Sequence, residues 1–122
     1  MCTAVVPHDE WREFLQAFSR RHAGWLVGIK THDLETGENV TSRFVRLESV
    51  ELDLEDEKNP RINVIVRDNQ KEIKRILFRP SDVIQQISEE GNVQGLRVVS
   101  INTVTTVRFR VATSPELADD VA

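Results

Sequence analysis

Between Trp11 and Phe18 the apolar residues recur at i, i+3, i+4 and i+7. Trp11, Phe14, Leu15 and Phe18 share one helical face, while Arg12, Glu13, Gln16, Arg20 and Arg21 point elsewhere. Pro7, Asp9 and Glu10 suit a helix start; Arg20, Arg21 and His22 complement the negative end of its dipole, and Gly24 stops it. From Trp25 the period changes to two: Trp25, Val27 and Ile29 alternate with Leu26, Gly28 and Lys30, which predicts a strand with one strongly apolar face. Asp33 to Asn39 reads as a turn, and the next strand region runs from about Val40 to Leu54. Its phase slips: Val45 and Leu47 are odd, Val50, Leu52 and Leu54 even, so a bulge near Glu48-Ser49 or a break into two short strands is required.

Lys58-Asn59-Pro60 marks another turn, after which Ile62, Val64 and Val66 alternate with polar residues and Ile65 adds some burial on the second face, as in a central strand. Asp68-Asn69-Gln70 connects it tightly to a strand from Ile73 to Phe78, on which Ile76 and Phe78 are expected to share the apolar face. Pro80-Ser81-Asp82 reads as the start of a second, short helix with Val83, Ile84 and Ile87 on one side and Gly91-Asn92 as its stop. A second hairpin follows: Leu96 to Ile101, a turn at Asn102-Thr103, and Val104 to Val111, with Val107, Phe109 and Val111 on one face. Ser114-Pro115-Glu116 is a good helix start for a brief final turn, but Ala118 to Ala122 has little to bury. The expectation is therefore a single α+β domain over residues 1–113 and an acidic, frayed tail over 114–122. In that domain the N-terminal helix packs on a mostly antiparallel twisted sheet, or partly closed barrel, of about six strands, with a second short helix before the last hairpin.

The chain has 122 residues, 39% apolar and 30% charged, a size and pattern suited to one hydrophobic core. Its apolar runs are far shorter than the roughly 20 residues needed to cross a bilayer, and no basic, apolar leader opens it; a cytoplasmic protein without membrane contact is expected. Cys2 is the only cysteine, so neither an intramolecular disulfide nor a cysteine-based zinc site is expected. The formal net charge of −4 disfavours nucleic acid and anionic membrane, though a local basic patch could override it.

No residue constellation predicts catalysis. His8, His22 and His32 lack the i, i+4 spacing of a helical metal site, and His22 reads as a helix C-terminal cap. None of the serines sits in a nucleophile turn, and five scattered glycines form no phosphate-cradling loop. The acidic run from Glu48 to Glu57 lacks the glycine and ligand spacing of a calcium loop and reads as the solvated face of the strand carrying Val50, Leu52 and Leu54. No catalytic residue, metal or cofactor is therefore assigned.

Opposed to that acidic run is a basic set, Arg61, Arg67, Lys71, Lys74, Arg75 and Arg79, joined by Arg108 and Arg110 on the last strand. Cross-strand pairing of the two sets would fix register more than stability. The candidate surface for a ligand or partner is Trp25, Arg75, Arg79, Arg108 and Arg110. The expected function is that of a non-enzymatic binding or accessory protein acting through protein-protein contacts, self-associating as a homodimer through a sheet edge or the first helix. The alternative is a small-molecule or anion-binding module, with a pocket between first helix and sheet near Trp25 and the Arg75/Arg79 end, and with it an enzyme whose motifs go unrecognised.

Trp11-x-x-Phe14, His22-x-Gly24-Trp25 entering a strand, Arg79-Pro80-x-Asp82-Val83, and Leu96-Arg97-Val98 leading to Thr105-Thr106-Val107-Arg108-Phe109 resemble a family of small uncharacterised bacterial proteins over roughly residues 8–110. The resemblance implies a bacterial, cytoplasmic α+β protein and carries no catalytic residue with it. In architecture alone the order of elements is similar to small dimeric secretion chaperones.

Overall fold

A computed structural model describes residues 2–113. A strand β1 (Cys2–Val5) and a 3-10 turn (His8–Glu10) precede the helix α1 (Trp11–His22). Seven strands follow: β2 (Leu26–Asp33), β3 (Asn39–Asp53), β4 (Arg61–Asp68), β5 (Lys71–Phe78), β6 (Asp82–Ile87), β7 (Val93–Val99) and β8 (Thr103–Thr113). They form one sheet in the order β1-β6-β7-β8-β2-β3-β4-β5, antiparallel at every pairing. The architecture is thus one helix on an antiparallel sheet; among the described residues there are eight strands rather than about six, and β1 and β5 are its edge strands. The tail over 114–122 and its short helical turn lie outside the described residues.

The sheet cannot be flat. Only Arg79, Pro80 and Ser81 link β5 to β6, a reach of about 15 Å at 3.8 Å per step, whereas six interstrand spacings would hold those strands about 29 Å apart in a planar sheet. The sheet therefore curls, and the carbonyl of Phe78 at the end of β5 accepts a 3.2 Å hydrogen bond from Ile101 in the β7–β8 turn. β3 is the bent strand on which it folds. Its first half pairs with β2 and its second with β4, and ladder shifts occur opposite Gly28 and between Leu47 and Ser49. The second shift is the bulge that the odd-to-even slip of the apolar positions demands, and β3 continues through it as one strand.

Inside the curl, Val27, Ile29, Leu47, Val50, Ile62, Val64, Leu96, Val98 and Val107 are almost completely shielded, and the buried face of α1, Trp11, Leu15 and Phe18, completes the core. The helix docks on the backbone of β3: the Ser19 hydroxyl accepts from the Val50 N–H at 2.8 Å and donates to the Val50 carbonyl at 3.0 Å. The helix's predicted start and stop hold, with Gly24 at φ +86° after its end.

Two expectations are corrected. The segment opened by Pro80-Ser81-Asp82 is β6, not a helix: it is bonded on both sides, to β1 and β7. Val83 points into the core while Ile84 lies half-buried on the other face, the two-sided burial of an inner strand, and β-branched residues favour that geometry. Ser81 serves the strand instead of capping a helix, its N–H donating to the Val99 carbonyl at 2.7 Å. On β5 the apolar face is odd, Ile73 and Leu77, so Ile76 and Phe78 do share a face, but it is the outer one, and Phe78 is 55% exposed. His22, read as a helix C-terminal cap, does bond the last turn, its Nδ1 donating to the Phe18 carbonyl at 2.9 Å, and it does so while only 4% exposed.

Candidate partner-binding face

The sequence-predicted surface residues do not converge. Trp25 is half-buried at the helix-to-sheet corner, its ring 4.7 Å from that of His22 and 4.9 Å from that of Phe109. Burial in this aromatic cluster lowers the His22 pKa to about 4, desolvation outweighing the hydrogen bond to Phe18. Arg75 lies half-buried on the inner side of β5, level with Val64, and its guanidinium donates to the Ser42 hydroxyl across the fold. Arg79 sits in the β5–β6 link at φ +48° and donates to Asn59 at 3.2 Å. The cavities between helix and sheet lie further along β3, beside Arg12 and Leu52.

Arg108 and Arg110 do share a site. Val107 and Phe109 are buried, so Arg108 stands on the outer face of β8, where its cross-strand neighbours are Gly28 on β2 and Gly95 on β7. Neither neighbour has a side chain, so Arg108 stands exposed beside a bare strip of sheet. Gly95 is obligatory there: a Cβ would overlap the carbonyl oxygen of Val107 and come within 3.1 Å of the Arg108 Cα.

On the far side of Gly28, β3 bulges outward at Phe44. This residue has φ +42°, a left-handed conformation costly for a bulky side chain, and is 57% exposed. The Arg110 guanidinium lies 5.3 Å from the centre of its ring, a cation–π contact that holds the arginine in place. Lys30 and Arg46 are exposed on the same outer face, Arg46 donating to the Gly24 carbonyl at 2.9 Å.

The acidic run and the basic set opposed to it are paired in part. Arg61 pairs with Asp53 at 2.9 Å, and Arg67 pairs with Glu48 at 2.6 Å and Glu72 at 3.8 Å, so β3, β4 and β5 carry the expected cross-strand pairing. The Arg67 guanidinium holds Glu48 below the usual carboxylate range, and the Glu55 N–H followed by Arg61 does the same for Asp53. Among the described residues, none of Lys30, Arg46, Arg108 and Arg110 takes part in these ion pairs. Phe44 was missed in the sequence because nothing in composition marks a phenylalanine for positive φ. The available signal was Gly28, a lone glycine inside a strand pattern, which marks a bulge or a close approach.

Among the described residues no three histidine, cysteine or acidic side chains are grouped to hold a metal ion, and no helix is long and apolar enough to cross a membrane. No curated protein and no solved structure matches the chain. A family model matches residues 2–119, nearly the whole sequence, and the chain accordingly belongs to the family of unknown function DUF5335.

Proposed function

We propose that this is a non-catalytic binding protein that engages an acidic protein segment through the outer face of β8, β2 and the bulged half of β3. The observation that carries this reading is two arginines on one outer face: Arg108 between the side-chain-free neighbours Gly28 and Gly95, and Arg110 stacked on the strained Phe44. Guanidinium groups bind carboxylates bidentately, and a stacked guanidinium loses less conformational freedom on binding. Strain retained in an exposed residue contributes nothing to the core, and such strain clusters where a surface is used.

A protein partner is favoured over nucleic acid because the face holds few cations on a chain of net charge −4. An outer-face partner is favoured over edge-to-edge self-association: β1 is four residues long, and β5 carries Lys71, Lys74 and Arg75 with its last carbonyl already bonded. The test is fluorescence polarisation with a labelled glutamate-rich peptide, against wild type and Arg108→Glu/Arg110→Glu, with a single-stranded oligonucleotide in parallel. Saturable, salt-sensitive peptide binding that the double variant abolishes supports the reading. Equal binding by the variant, no peptide binding at low salt, or preference for the oligonucleotide refutes it.

A further inference from the structure

The second half of β3 has a free side. β2 begins at Leu26, and among the described residues its side of β3 is extended past that point only by the bonds of Leu47 with Gly24 and Trp25 and by the Ser19 hydroxyl on Val50. Since the Val50 N–H and carbonyl both point to Ser19, Val50 and Val64 are a non-hydrogen-bonded pair. Alternation along an antiparallel ladder then makes Leu52 and Ile62 the next such pair. The N–H and carbonyl of Leu52 therefore project away from β4, toward α1.

They face a cleft. Two adjoining cavities of about 490 and 420 Å³ share Arg12, Glu51 and Leu52 as walls and run between α1 and this edge. Each is in the size range of a ligand pocket. The larger is rich in carboxylates on its β3 side, with Glu51, Asp53, Glu55 and Glu57 against Arg12 and Lys74. Its wall also includes Asn63, only 4% exposed, whose Oδ1 has no hydrogen-bond partner while its Nδ2 reaches Asp53 at 3.5 Å. An unused acceptor in such a position calls for a donor.

We infer that this cleft binds a short extended peptide segment carrying a basic side chain, which adds to the free edge of β3 at Leu52. The peptide backbone pairs with the Leu52 N–H and carbonyl, in the way extended segments add to exposed sheet edges, and alternate side chains point to opposite faces. A lysine on the outer side is then placed among Glu51, Glu55 and the Asn63 carbonyl, whereas an acidic residue there meets like charge. The cleft is distinct from the arginine face on β8, and its ligand has the opposite charge.

The experiment is a titration of the ¹⁵N-labelled full chain with a capped peptide of alternating valine and lysine, and with its valine-glutamate counterpart. Expected are saturable shifts of the Leu52 and Glu51 amides and of the Asn63 side-chain amide with the lysine peptide alone, and slower exchange of the Leu52 amide hydrogen once bound. Glu51→Lys/Glu55→Lys, substitutions at exposed positions, should weaken binding at least tenfold. No shift at millimolar lysine peptide, equal response to both peptides, shifts confined to the β8 face, or unchanged affinity of the glutamate variant overturns the inference.

Discussion

Acidification through the histidine range should destabilise this fold by way of one side chain, His22. Its folded-state pKa lies near 4, against 6.5 for an unperturbed imidazole, because the ring is buried among Phe18, Trp25 and Phe109. A depressed histidine pKa means that the unfolded chain binds the extra proton first. The stabilisation is complete above about pH 6.5, falls as pH drops, and levels off near pH 4. At about 1.36 kcal/mol per pKa unit the whole effect is about 3 kcal/mol, of which about 2 kcal/mol is lost between pH 7.5 and pH 5. The shifted carboxylates of Asp33, Glu48, Asp53 and Asp56 titrate lower still, all of them being held below their usual range, so they leave this window to the histidine.

The assay is urea unfolding at pH 7.5 and pH 5 for wild type and His22→Phe, with imidazole NMR to follow the ring itself. Wild type should lose about 2 kcal/mol over the interval. The variant, whose aromatic ring fills the cluster without a titrating group, should lose far less even if its stability at pH 7.5 differs. A His22 imidazole that titrates above pH 6, or a variant with the wild-type pH dependence, would refute the reasoning.

Further outcomes are expected elsewhere in the fold. Ser19→Ala strips the Val50 N–H and carbonyl of their shared partner and should cost about 1–3 kcal/mol in chemical denaturation. Gly95→Ala forces a side chain into the Val107 carbonyl and should cost several kcal/mol or prevent folding, measured by the same denaturation. Phe44→Gly should raise stability, by about 1 kcal/mol from the relief of positive φ, while weakening acidic-peptide binding by freeing Arg110; a destabilised variant with intact binding would count against a functional role for the bulge.

The parts of the fold legible in the sequence were those where periodicity and stop signals agree. The i, i+3, i+4, i+7 spacing of Trp11, Phe14, Leu15 and Phe18 with Gly24 beyond it fixes α1, and the parity change between Leu47 and Val50 locates the β3 bulge to within a residue. Three features escaped for separate physical reasons. β6 carries the turn chemistry of a helix start, and only its place between β1 and β7 decides for a strand. On β5 both parities offer apolar residues, and the inward one is interrupted by Arg75, whose bond to Ser42 makes its inward position tolerable. β1 is too short to show a period at all. Of the candidate surface, Arg108 and Arg110 are on one face, but the residues that shape it, Gly28, Phe44 and Gly95, act through missing side chains and backbone twist, which hydropathy does not register.

The strand order has a consequence for synthesis of the chain. β2 through β5 is one continuous meander and β6 through β8 another, and they are joined along β2 and β8, where Val27 meets Phe109 about 80 residues later. A ribosome delivers the first meander with only α1 to cover its inner apolar face and with its β2 edge unpaired, and nothing can complete the sheet until β8 has emerged. The order in which the chain is made is thus opposed to the order in which the core closes, and the interval before β8 arrives is when the nascent protein is most exposed to aggregation and to chaperone capture.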